Sequence, residues 1–167
     1  LLQYLSLLTF GLIVSYTSAM KKALLLLLPS CFIFILLLLS ACQRGSHVDI
    51  KTQMGETVSF QIEIADTPAS REQGLQYRET LSASQGMLFV FPDEDVRTFW
   101  MKNTPLPLDL IFISADLKIV GIIPNTTPFS LAPLSVSKPS RYVLEIKGGA
   151  AESAGIHTGD NVNLQLT

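Results

Sequence analysis

Thr57-Val58-Ser59-Phe60-Gln61-Ile62-Glu63-Ile64 places an apolar side chain at every second position from Val58 to Ile64. Successive side chains of an extended chain point to opposite faces, so this spacing describes a strand with one face buried and the other wet. The next segment changes character. Thr67-Pro68-Ala69-Ser70-Arg71-Glu72-Gln73-Gly74 predicts a short helix, with Thr67 as N-cap, Pro68 at N1 and Gly74 as the stop. Further strands are expected at Met87–Phe91 (ended by Pro92), Val96–Met101, Leu108–Ile113, Lys118–Ile123, Tyr142–Ile146 and Val162–Leu166. Ser114–Leu117 supplies a turn between the third and fourth of these. Short strands separated by turn signals predict an all-β sandwich or barrel with one or two short helices. Met87–Phe91 and Leu110–Ile113 are apolar on both faces and are expected at the centre of the sheet. Pro124–Ser140, with four prolines, is the longest irregular stretch, a length usually tied to function or flexibility.

Upstream of this domain the composition is different. Lys21 and Lys22 are the only charges before Cys42, in a chain whose hydrophobic content is 48%. Met20-Lys21-Lys22 followed by Ala23–Leu39 reads as a basic n-region and an apolar h-region of a signal peptide spanning 20–41. It ends Leu39-Ser40-Ala41-Cys42, which resembles the lipobox of bacterial lipoproteins and implies small residues that enter a peptidase cleft and a Cys42 thiol that accepts the diacylglyceryl group. An uncleaved transmembrane anchor is the alternative, since Ala23–Leu39 lies near the lower length limit for a span. Leu1–Ala19 is expected to be spurious upstream translation, or else an extra hydrophobic segment. Residues 42–55 are expected to be a tether, and 56–167 the single β-rich domain.

The anchor implies a cell-envelope protein held to the membrane through lipid on Cys42. Gln43, where an aspartate would favour inner-membrane retention, leans towards the periplasmic face of the outer membrane in a Gram-negative cell. From Cys42 onward the chain keeps all 14 acidic residues but ten of the 12 basic ones, a net charge of −4. A mildly acidic module has no electrostatic reason to bind nucleic acid or an anionic membrane surface. With Cys31 inside the apolar run and Cys42 at its end, no disulfide is expected within the domain, and packing must stabilise it.

Phe99-Trp100-Met101-Lys102-Asn103-Thr104, followed by Pro107-Leu108-Asp109, is the densest polar-aromatic cluster in the chain. Together with Phe60–Asp66, Arg71–Leu75, Tyr77-Arg78, Gly86–Pro92, Pro107–Ile113, Tyr142–Glu145 and Gly155-Ile156…Gly159-Asp160, it resembles the domain of unknown function 192 family. The resemblance runs from about Val58 to Leu166. It implies a compact β-barrel or jelly-roll-like fold and supplies no established activity. Gln76 and Leu117 depart from the family pattern, which more often has Met at the first position and a turn glycine at the second.

Alternation puts Trp100 and Lys102 on one face, where Asp109 and either Arg71 or Arg78 could join them. An indole beside Lys102, Asn103 and Asp109 is suited to a small polar ligand or carbohydrate, by stacking plus a few directional hydrogen bonds. The alternative is structural: a Lys102–Asp109 ion pair, with Asn103 tying down the turn before Pro105. An envelope protein partner is the other candidate. No catalytic residue is assigned, for want of a Cys nucleophile, a Gly-x-Ser-x-Gly elbow or a phosphate-cradling loop. A hydrolase using Asp109 or Glu145 is the weaker enzymatic alternative. His47 and His157 are isolated in sequence, so no metal site is expected, nor any cofactor. Asp93-Glu94-Asp95 reads as a solvated hairpin tip.

Overall fold

The alternating run becomes β2 (Thr57–Ala65) of a computed structural model that describes residues 45–167. The upstream segment and the stretch read as a signal peptide and lipobox, Cys42 included, lie outside the described residues. Around β2 the order is β1 (His47–Lys51), then α1 (Pro68–Gln73), β3 (Gln85–Asp95), β4 (Thr98–Phe99) and β5 (Leu108–Ile113). β6 (Ile119–Ile123), β7 (Leu134–Ser135), β8 (Ser140–Lys147), α2 (Ala150–Ser153) and β9 (Asn161–Gln165) follow. Seven strands form one sheet in the order β6-β5-β8-β3-β2-β1-β9, and β4 and β7 form a separate two-stranded ribbon. Among the described residues only β2 and β3 pair in parallel, and α1 lies in the connection between them.

The sheet curls into a half-barrel, as expected of a mainly β domain. Its two ends meet beside the turn before β6: Val162 N donates to Leu117 O (2.8 Å) and Ile119 N to Asp160 O (3.0 Å). Lys118 and Asn161 form a bridge at the same place. Inside the curl pack Val48, Ile50, Phe60, Ile62, Leu88, Ile111, Leu144 and Ile146. Each such side chain contributes about 1.5–3 kcal/mol on burial. A second cluster, including Met87, Phe89, Leu110, Phe112 and Val143, lies on the outer face. Strands β3, β5 and β8 are thus covered on both faces, which is why they read as continuous apolar runs.

The helix forms as its caps require. Ser70 N donates to Thr67 Oγ1 (3.1 Å) and Thr67 N to Ser70 Oγ (3.0 Å), with Pro68 opening the helix. Gly74 ends it at φ 48°, a conformation that favours glycine.

Three expectations need correction. The tether expected over 42–55 contains a strand, since β1 is hydrogen-bonded between β2 and β9. Val48 and Ile50 alone supply its buried face, a pattern too short to register in sequence. β3 continues through Pro92 to Asp95, with a register shift between Val90 and Asp95. Proline is tolerated there because a bulge demands no ladder N–H. The strand expected over Val96–Met101 shrinks to Thr98–Phe99, because Met101 N turns away to donate to Ser130 O (2.9 Å).

Candidate functional site

Along β8, Leu144 and Ile146 enter the half-barrel, while Val143 and Glu145 face outward. Leu75 and Leu81 cover part of this outer face, and Phe99, Leu134 and Val136 of the β4–β7 region cover another part. The cover is incomplete. Between α1 and the ribbon lies a pocket of about 610 Å³, with Phe89 and Glu145 from the sheet at its base. Arg71, Gly74 and Gln76 line one side, and Arg97, Trp100 and Lys102 line another.

Aromatic stacking holds the wall together. Phe99 meets Phe89, Phe91 and Phe112 edge to face, at centroid distances of 5.1, 6.4 and 6.0 Å. Two guanidinium groups lie against Phe91, Arg71 at 5.1 Å and Arg97 at 4.2 Å from its centroid. Arg97 is committed to Asp93 (2.8 Å) and Ser140 O (3.2 Å), and its hydrogen bond holds the Asp93 carboxyl below the usual range. Arg71 donates to Val90 O (2.8 Å) and Asp66 O, and pairs with no carboxylate among the described residues. Trp100 is 52% exposed, with Lys102 Nζ 5.2 Å from its ring.

Glu145 is the electrostatic exception. It is 5% exposed and has no side-chain hydrogen bond or ion pair among the described residues. Met87 and Leu110 stand opposite it on the flanking strands. Burial among such groups pushes its carboxyl up to about 8.

Of the residues singled out in sequence, Trp100, Lys102 and Arg71 meet at this pocket. Asn103 stands just outside, donating through Nδ2 to Gln76 Oε1 (3.0 Å) and to the Tyr77 hydroxyl (2.7 Å). Asp109 does not join them. It points to the inner face, where its carboxylate accepts from Asn125 N (2.7 Å), Gly149 N (2.9 Å) and Ala151 N (2.8 Å). The anticipated Lys102–Asp109 ion pair is therefore absent among the described residues. Arg78 also stands apart from the pocket lining, paired with Glu63 at 2.6 Å.

His47 has one acid nearby, Nε2 lying 3.8 Å from Asp49 and beyond hydrogen-bond reach, while Asp49 accepts from Ser59. The serine bonds the acid rather than the imidazole, so this trio lacks the wiring of an activated nucleophile. Among the described residues no group of three His, Cys, Asp or Glu side chains could hold a metal. Sequence reading missed Arg97 and Phe91 as wall residues; it named Glu145 only as the acid of a hydrolase and did not join it, a single acid in the apolar strand Val143-Leu144-Glu145-Ile146, to Trp100 and Lys102.

The fold and site define a mainly β half-barrel domain with an aromatic- and cation-lined pocket on the sheet's outer face. The family DUF192, described as an uncharacterized ACR, matches residues 49–164, and the chain belongs to it. A solved protein from Sinorhizobium meliloti 1021, provisionally described as a transcription regulator, is 39% identical with a TM-score of 0.70. That match covers 71% of this chain and 92% of the other. A protein of unknown function from Novosphingobium aromaticivorans DSM 12444 is 38% identical, TM-score 0.68, over 70% of this chain and 83% of its own. No curated protein matches the chain.

Proposed function

We propose that this protein is a non-catalytic binding module of the cell envelope, lipid-anchored at Cys42, whose outer-face pocket takes a small polar ligand. The observation that carries the reading is the convergence of Trp100, Lys102 and Arg71 on one open concavity. An exposed indole offers a stacking surface, and the two cations offer directional donors beside it. The envelope location is supported by the signal-like Met20–Ala41 and the Leu39-Ser40-Ala41-Cys42 string. Gln43 favours the periplasmic face of the outer membrane in a Gram-negative cell. A regulator's role at nucleic acid, suggested by the S. meliloti relative, is not favoured by an acidic chain of net charge −2. Nor is a two-carboxylate hydrolase, since Asp109 and Glu145 face opposite sides of the sheet.

The test is calorimetry on the full-length protein in detergent, against neutral sugars, amino sugars and sugar acids. At least one compound should bind, and Trp100→Ala and Lys102→Ala should each weaken it ~tenfold, about 1.4 kcal/mol. No binding, or binding indifferent to both substitutions, would overturn the pocket reading. For the anchor, Cys42→Ser should abolish incorporation of labelled palmitate, and an unlabelled wild type would remove the envelope assignment.

A further inference from the structure

Resting on that reading of the pocket, the buried acid at its base narrows the ligand class. We propose that the pocket takes an organic anion of the sugar-acid type, its carboxylate near Lys102 and Arg71 and an uncharged oxygen hydrogen-bonded to Glu145 at the base.

Both ends of this arrangement follow from what each group lacks. Arg97 already has Asp93, whereas Arg71 and Lys102 have no carboxylate partner among the described residues. Glu72, also in the lining, is the one other acid there besides Glu145. At the base, the strands flanking Glu145 present Met87, Phe89 and Leu110, with no cation in ion-pair reach among the described residues. Among the described residues Ser140 Oγ is the one fully enclosed side-chain oxygen or nitrogen without a partner, so the Glu145 carboxyl, which has no protein partner, opens into the pocket, where a ligand oxygen can meet it. The upward displacement to about 8 keeps the carboxyl proton in place at neutral pH. Ionised, the same group would lose its donor and repel an anion. A ligand ammonium could instead pair with the ionised form, and would reverse the pH response.

Glucuronate, glucose and glucosamine share a ring and differ in charge, so they separate these cases on the full-length protein in detergent. At about pH 6.5, glucuronate should bind ~tenfold more tightly than either of the others. Its affinity should fall by ~tenfold as pH rises through 8 to about 9. Glu145→Gln, which keeps an N–H donor but cannot ionise, should flatten that profile, and Glu145→Leu should weaken binding. Tighter binding of glucose or glucosamine, or a flat wild-type profile, overturns this inference while leaving a Trp100-dependent pocket standing. If none of the three binds, this inference fails, and the wider sugar panel then decides the pocket reading separately.

Discussion

Asp109 and Glu145 stand one register step apart on neighbouring antiparallel strands, Asp109 opposite Ile146 and Glu145 opposite Leu110, so their carboxyls leave the sheet in opposite directions. Their surroundings differ as much as their directions. Asp109 meets three backbone N–H groups, while Glu145 meets apolar side chains and the pocket. One sheet therefore gives two adjacent acids different tasks: Asp109 fastens the chain, and Glu145 is left with unspent hydrogen-bonding capacity.

Asp109→Asn should destabilise the protein by about 2–4 kcal/mol. Its carboxylate caps α2, whose own N-cap Gly149 has no side chain to do so, and fixes Asn125 in the same grip. An amide retains only one acceptor oxygen and turns a donor towards backbone donors. Urea unfolding of both forms measures the difference, and a loss under about 1 kcal/mol would show the cap to be dispensable.

Glu145→Gln should act oppositely, and only at higher pH. The native carboxyl is displaced up to about 8, whereas in the unfolded chain it titrates near its ordinary value of about 4.3. Between those values the native state keeps a proton that the unfolded state has released. Wild-type stability should therefore decline as pH rises across that interval, then level off above 8. The glutamine variant lacks that slope, so its unfolding midpoint should exceed wild type at about pH 9 and lose the advantage near pH 4. Parallel pH profiles for the two proteins would contradict the assignment.

The parts of this domain legible in sequence are those whose cause is local. The two-residue period of β2 and the Thr67, Pro68 and Gly74 caps of α1 all sit within a few positions of what they specify. Trp100 and Lys102 do share one surface, with the ammonium 5.2 Å from the indole, although the strand expected to put them there ends at Phe99. β1 is not legible, because its strand character comes from β2 and β9, the latter more than a hundred residues away. Asp109 is misplaced by sequence reading for a similar reason: its partners lie at Asn125, Gly149 and Ala151. Leu117, where the family pattern more often has glycine, still adopts the left-handed turn at φ 57°. Its backbone carbonyl accepts from Val162 N, so tertiary bonding fixes the turn despite the unfavourable residue.

Phe99→Ala should cost about 3 kcal/mol and loosen the pocket wall. Three rings meet Phe99 edge to face, two from β3 and one from β5, so one truncation removes the joint between ribbon and sheet. Thermal unfolding should show the loss. The emission of Trp100, the chain's single tryptophan, should shift to the red in the folded variant as its neighbour gives way. An unchanged melting temperature would mean that the ribbon is held elsewhere.

Asn103 allows backbone and side-chain contributions to be separated. Its φ is 54°, and it adjoins two more residues at positive φ through backbone bonds: Tyr77 N donates to Asn103 O (2.7 Å), and Phe129 N to Thr104 O (3.1 Å). Its amide also ties Gln76 to the Tyr77 hydroxyl beside the pocket. Asn103→Ala removes these hydrogen bonds and places a Cβ without local polar compensation in the left-handed region, at about 1–2 kcal/mol for the backbone alone. Asn103→Gly removes the same bonds but relieves the backbone, at some cost in unfolded-state entropy. The glycine variant should therefore unfold at a higher urea concentration than the alanine variant, by about 0.5–1 kcal/mol in stability, with both below wild type. Equal stabilities would assign Asn103 a side-chain role alone, and alanine above glycine would show that the left-handed turn relaxes when the amide is removed.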